Sequence, residues 1–281
     1  MDRIDLAGLA RRKAGPGPKR IVIFRPIPSR QGAKDDLERA IVKIQREAWK
    51  VAKEHLIVAG AEAVAAIHDD NAGRLASAMK LIRNILASAL AGIVADWTLD
   101  RIFNGEEERH RQRLVEQVKA RVGIDLGYII SRDNLSEVMN LAMQRAVGAI
   151  QGLNDDVAKR VEAKIMTAVL SGLAAPALAK ILSETFGWAM KRAKFIARDQ
   201  IETFNGNLNK FRQQQLGVTK YKWSTAMDER VRGNPDGRYP HARPSHWARE
   251  GETFSWDDPP EGGHPGEDYN CRCVAIAVLE F

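Results

Sequence analysis

The ten residues His264-Pro-Gly-Glu-Asp-Tyr-Asn-Cys-Arg-Cys273 hold both cysteines of a 281-residue chain, one arginine apart, beyond a histidine-proline-glycine turn. On an extended strand, alternate side chains share a face, so Cys271 and Cys273 would point the same way about 7 Å apart along the backbone. Two such thiols make a strained disulfide, yet both can approach one metal ion. Zinc draws four ligands from cysteine, histidine and carboxylate, and would brace a small module. His264 and His246 are the histidine candidates for a site with Cys271 and Cys273, with His241 and Asp228 behind them. The spacing is not that of a CxxC knuckle and there is no second cysteine pair. Two other readings therefore stay open: small buried side chains on a strand, or a thiol exposed for bonding between molecules.

The second chemistry-bearing stretch is Trp223-Ser-Thr-Ala-Met-Asp228-Glu-Arg230-Val-Arg232. A strand leads into Thr225 and Asp228, whose side chains can close a turn onto backbone amides. Arg230 and Arg232 should then project from one face of the next extended stretch. Asp228 could pair with His246 for acid/base or metal work, or it could simply pin the turn and bridge to an arginine. Trp247 and Trp256 suit the core of a module better than a base-stacking platform.

These groups need a scaffold, and the chain changes character where it begins. Tyr221–Ser224 and Val274–Val278 read as strands, and the material between them is rich in proline and glycine. Before it, from Ala33 to about Gly217, apolar residues recur at helical steps. Leu37, Ile41, Ile44, Ala48 and Val51 mark one helix, with breaks expected at Gly60 and at Asp69–Gly73. A more apolar helix spans about 74–103, closed by Asn104-Gly105. Glu106 to Val122, acidic first and basic later, reads as an exposed or intersubunit helix. Asn134 with Glu137 can cap a helix reaching Gly152, and Asn154-Asp155-Asp156 can cap the next, with Val157, Val161, Ile165 and Val169 inside. Pro176 can open a short helix that Gly187 stops. A last helix from Trp188 to Leu216 carries Ala193, Ala197, Ile201, Phe204, Leu208 and Phe211 on one side. The expectation is an α+β chain in three parts: a basic extended arm at 1–32, a helical body at 33–187, and a long helix with a small irregular β-rich module at 188–281.

Composition narrows the function classes. Hydrophobic residues at 44% and charged residues at 28% are globular values that argue against wholesale disorder. The start has no apolar core of a signal peptide, and Leu81–Trp97 is too short and too polar to span a bilayer. With only two cysteines, a chain made in a reducing cytoplasm is expected. The first 32 residues carry eight Lys/Arg against two Asp. That basic head, through Arg11, Arg12, Lys13, Lys19, Arg20 and Arg25, suits contact with nucleic acid or an acidic partner, or a solvated leader. Its Ile21-Val-Ile-Phe24 run should pair with a sheet edge, in this chain or a neighbour.

Taken together, Arg198 with Asn205 seven residues on, then YKWSTAMDERVR, His246, Gly251–Phe254, the PPEGG run and the terminal NCRC form an ordered signature. It resembles the C-terminal domain of the Mu F-like minor head proteins of tailed phages, also called head morphogenesis proteins, over about 190–275. Ala197-Arg198-Asp199-Gln200 stands where that family often has Ala-Arg-Thr-Glu, and the insert NPDGRYPHARPS before His246 is long. The resemblance implies a minor structural protein of the virion head, present in several copies, made in the host cytoplasm and associated with the portal. It also implies roles in capsid assembly and in DNA packaging or delivery, with portal, major capsid or scaffolding protein and viral DNA as partners and no membrane. On this reading Arg198 and Asn205 anchor the β module, Trp223 packs beneath it, and Asp228 with Arg230 shapes the turn. His246, His264, Cys271 and Cys273 converge, with or without zinc, and no cofactor is otherwise expected. The competing classes are a metal-dependent nuclease or toxin-like enzyme, and a DNA-binding scaffold outside virions. Against the nuclease, no helix follows Cys273; against the toxin, no glycine-rich or paired-glutamate site is present.

Overall fold

The computed structural model describes residues 3–91, 96–127, 130, 135–171 and 175–281. The elements run α1 (Leu6–Ala14), β1 (Ile21–Ile23), α2 (Gln31–His68), α3 (Ala72–Ala89), α4 (Asp96–Val122), α5 (Ser136–Leu170) and α6 (Ala175–Gln215). Then follow β2 (Lys220–Ser224), β3 (Thr253–Ser255) and β4 (Val274–Glu280). The fold is α+β; among the described residues the strands form one antiparallel sheet in the order β1-β4-β2-β3.

The chain divides into two compact units, and each is built from separated segments. One comprises residues 34–100 and 143–197 and is helical. Its core uses Leu37, Ile41, Ala48, Ala52 and Leu56 of α2, and Val157, Val161, Ile165 and Val169 of α5. The stripe passes through Ala52 and leaves Val51 exposed, because 3.6-residue periodicity rotates the face as the helix lengthens. Several expected breaks are continuous helix. α2 runs through Gly60, where a Cβ would sit 2.3 Å from Leu178 Cδ2, so this glycine serves close packing and not termination. α5 runs through Gly152 and Asn154 because the Asn154 side chain has buried tertiary partners and no capping role. It accepts from Gln45 Nε2 at 2.6 Å and donates to the Leu90 carbonyl at 2.9 Å. α4 likewise continues through Asn104-Gly105, and α6 through Gly187. Asp69–Asn71 does end α2, and Asn71 caps α3 by accepting from the Arg74 amide. The Asn134 cap lies outside the described residues.

The other unit comprises residues 1–33, 101–142 and 198–281, and carries the sheet. β4, apolar from Val274 to Leu279, is one of its two inner strands and is buried along most of its length. Its outer edge is covered by β1, with Ile21 opposite Glu280 and Ile23 opposite Val278. Residues 1–32 are thus not an extended arm. Asp5 caps α1, and Leu6, Ala10, Phe24 and Ile27 enter a core with Leu114, Val118, Leu216 and Leu279. The physical reason is that β4 needs a partner for its backbone groups and the Ile21–Ile23 run supplies it within the chain. The three-part division at 32 and 187 does not describe these units, because segments distant in sequence complete one core.

α4 is not an exposed helix either. Glu106, Glu107, His110, Leu114 and Val118 share a buried face. Glu107 Oε1 accepts from Arg212 Nη2 at 2.6 Å with both side chains almost fully enclosed, and Arg212 also donates to Gln215. His110 Nε2 lies 3.2 Å from Asn209 Oδ1, and burial lowers its pKa to about 3. Charged residues that looked solvated in sequence are here paired inside.

Removing one partner of a buried pair leaves the other charge uncompensated. Glu107→Ala should therefore cost about 3–5 kcal/mol, read from urea unfolding midpoints. The apolar pair Glu107→Leu with Arg212→Met should recover most of that loss. A single variant within about 1 kcal/mol of wild type would show the pair to be dispensable.

Candidate metal centre

The module's geometry starts from α6. The carboxylate of Asp199 accepts the Asn270 backbone N–H at 2.7 Å, and Arg198 Nε donates to Asn270 Oδ1 at 2.9 Å. Asn270 has a φ of 57°, a left-handed conformation that asparagine tolerates better than most residues. The preceding His264-Pro-Gly turn sits directly on the same helix. A Cβ on Gly206 would lie 2.8 Å from the Pro265 carbonyl oxygen, and one on Gly266 would lie 3.0 Å from the Gly206 Cα. Only glycine at both positions permits that approach.

From Asn270 the chain runs through Cys271-Arg272-Cys273 into β4. The side chains alternate as in a strand. Arg272 turns one way and forks onto Asp228, at 2.6 and 2.5 Å to its two carboxylate oxygens. The cysteines turn the other way, each with Sγ 3.6 Å from Nδ1 of His246. Both thiols are free and, like His246, buried. The three donor atoms lie within 4.8 Å of one another, so His246, Cys271 and Cys273 can hold one metal ion. Interaction between the two neighbouring thiols pushes Cys271 well below its ordinary pKa and Cys273 far above.

The histidine's far side is also arranged. Its Nε2 is buried without a hydrogen bond and lies 3.5 Å from Asp268 Oδ2. Asp268 is gripped by Arg232, whose other amino group donates to the Tyr269 carbonyl at 2.8 Å. The Trp223 ring stands edge-on to His246 at 5.3 Å, and Arg249 lies over Trp223 at 5.0 Å. Trp223, Tyr221, Trp256 and Ala275 form a core with the two cysteines.

The structure sorts the residues proposed from sequence. It brings together His246, Cys271 and Cys273, and places His264 elsewhere: its Nδ1 is 2.9 Å from the Tyr221 hydroxyl and its ring packs on Trp256. Burial lowers the pKa of His264 there. Asp228 does not pair with His246; Asp268 takes that place. Asp228 instead accepts the Arg230 amide at 2.9 Å and pins the turn, with Arg272 as its main partner. Residues after Asp228 form turns and not an extended stretch, so Arg230 folds back to Asp228 while Arg232 reaches Asp268. Arg198 meets the module at Asn270. Asn205 donates to the Ile27 carbonyl and so secures the N-terminal segment, not the module. His241 is exposed. Asp199, Asp268, Asn270 and Arg272 were missed, although alternation around Arg272 already implied that its partner lies opposite the thiols.

The basic residues of the N-terminal segment have mixed fates. Arg11, Arg12 and Lys13 lie exposed on α1, and Lys13 also donates to the Gly123 carbonyl. Lys19 pairs with Glu280 at 2.8 Å, and the Arg20 backbone bonds Phe281. Arg25 lines an open groove of about 600 Å³ with Arg109, Arg113 and Arg121, against the single acid Glu116.

A family model described as Phage Mu protein F like protein matches residues 159–276. Over that stretch the chain is similar to the Phage Mu protein F like family. The Mu F-like stretch contains the end of α5, all of α6, β2, β3, the turn at Asp228 and the complete His246, Cys271 and Cys273 group, and stops within β4. An uncharacterized protein of Haemophilus influenzae (strain ATCC 51907 / DSM 11121 / KW20 / Rd) is 32% identical over 181 residues, 64% of this chain. The match spans 38% of that relative's length. No solved structure matches.

The arginine fork holds the pKa of Asp228 far below its ordinary value. A carboxylate depressed in the folded state stabilises fully above its unfolded pKa and loses that contribution as pH falls toward the folded one. Asp228→Asn should cost about 1–2 kcal/mol at neutral pH, allowing for its partial exposure. The urea-midpoint gap to wild type should be constant above about pH 5 and narrow below about pH 4. A gap that does not change down to about pH 2 contradicts the assigned ion pair.

Proposed function

We propose that this protein is a minor structural component of a tailed-phage head, associated with the portal and acting in capsid assembly and in DNA packaging or delivery. The observation that carries the reading is the Mu F-like match over residues 159–276, a family of phage head morphogenesis proteins. Its structural character supports a role without turnover. The enclosure of the His246, Cys271 and Cys273 group supports the same view, since a substrate needs an open approach. Among the described residues no helix is long and apolar enough to cross a membrane.

The DNA side of the role rests on exposed guanidinium groups. Arg11 and Arg12 stand exposed on α1, and Arg25, Arg113 and Arg121 line the groove beside α4. Phosphate recognition by arginine is insensitive to base sequence, as contact with a packaged genome requires. The strand at Ile21–Ile23 serves the chain's own sheet, so a portal partner would meet other surfaces.

Two experiments test this. Purified particles probed with antibody should contain the polypeptide at far lower copy than the major capsid protein; its absence from particles ends the virion reading. Duplex DNA should bind with a steep salt dependence. Replacing Arg25, Arg113 and Arg121 by alanine should flatten the log–log slope by roughly three. An unchanged slope removes the groove from the DNA contact.

A further inference from the structure

We infer that His246, Cys271 and Cys273 form a zinc site that staples the C-terminal module, with Asp268 orienting the histidine from behind. The proposal does not depend on the head-protein reading. It rests first on distance. Tetrahedral zinc with bonds of about 2.3 Å to sulfur and about 2.05 Å to nitrogen separates each sulfur from the nitrogen by about 3.6 Å. Both Sγ–Nδ1 distances are 3.6 Å. With the proton on Nε2, Nδ1 has one lone pair and accepts one S–H, whereas an ion bound to Nδ1 and to both sulfurs accounts for the two equal contacts together.

The second support is what lies behind the ring. Metal-bound histidines commonly donate their other N–H to a carboxylate, which fixes the tautomer and orients the ring. Here Nδ1 faces the thiols while Nε2, buried and otherwise unbonded, faces Asp268 at 3.5 Å, and Arg232 holds Asp268 in place. Zinc on Nδ1 requires the proton on Nε2, which gives that orphaned nitrogen a carboxylate to donate to.

A row of cysteine, histidine and aspartate also describes a nucleophilic thiol. Two features favour the metal. A nucleophile needs one sulfur, whereas two are placed equivalently. It also needs access, whereas all three side chains are buried, with Trp223 packed against the ring. Burial further fits a structural ion, as does the setting. The segments between Ser224 and Val274 hold few regular elements, and their small core gains from a staple. Three protein ligands leave a fourth position for water or another donor.

The full chain, purified without chelator from zinc-supplemented cells, should carry about one zinc per polypeptide. Replacement by cobalt(II) should give the visible bands of a tetrahedral site and a thiolate charge-transfer band in the near ultraviolet. Cys271→Ser and Cys273→Ser should each weaken that band, and Asp268→Asn should lower zinc affinity by about 10–100-fold while keeping the band. Because the cysteine variants can fail to fold, the wild-type protein supplies a second test: removing zinc with a chelator should lower its melting temperature, and adding zinc back should restore it. Wild-type protein that holds less than about a tenth of an equivalent of zinc, and shows no thiolate–cobalt band, overturns the proposal. Rapid alkylation of a single thiol by iodoacetamide in the zinc-loaded protein also overturns it, in favour of the nucleophile.

Discussion

Arg272 can face only one way if Cys271 and Cys273 are to face the other, and the fork between Arg272 and Asp228 decides which. Side chains alternate along an extended chain, so fixing the middle residue of three fixes its neighbours. With Arg272 bound to both oxygens of Asp228, the two sulfurs have no choice but the interior, where His246 waits. The same fork ties the strand entering β4 to the turn leaving β2. One residue before the cysteines, Asn270 is clamped to α6 through its backbone and its side chain. Within Asn-Cys-Arg-Cys, then, the asparagine clamps the helix, the arginine forks onto the turn, and each cysteine presents a sulfur donor.

α6 acts as a socket through polar groups as much as through its apolar stripe. Gln213 donates to the Ala275 carbonyl and accepts from the Trp256 indole, and Asn209 and Asn205 hold the Ile27 carbonyl. Arg212 and Glu107 neutralise each other inside. Apolar burial tolerates sliding, whereas these bonds form in one register only. The N-terminal segment belongs to the same construction, since β1 pairs with Val278–Glu280, the end of β4 that lies beyond the Mu F-like stretch.

Much of this was legible in the sequence. The helical stretch, the change of character near Gly217, the strands at 221–224 and 274–278 and the turn role of Asp228 all followed from periodicity and turn chemistry. The grouping of His246 with the cysteines was one of several options. What sequence could not supply was long-range pairing. Ile21–Phe24 looked like an arm because its partner lies some 250 residues away, and Glu106–Val122 looked solvated because Arg212 and Asn209 are also remote along the chain. Glycine and asparagine misled for the opposite reason. Gly60 and Asn154 resemble helix terminators locally, but close packing and a buried amide network override that preference. His264 was drawn toward the cysteines by its nearness in sequence, while the Pro-Gly turn seats it against Tyr221.

A double-mutant cycle on Asp228 and Arg272, read by urea unfolding at neutral pH, tests the central claim most directly. If the fork sets the direction of the whole Cys271–Cys273 segment, Asp228→Ala and Arg272→Ala should be strongly non-additive. A coupling of about 1–2 kcal/mol is then expected, because the second substitution removes nothing further. Additivity within about 0.3 kcal/mol would mean that the two side chains act independently, and that something else aims the thiols.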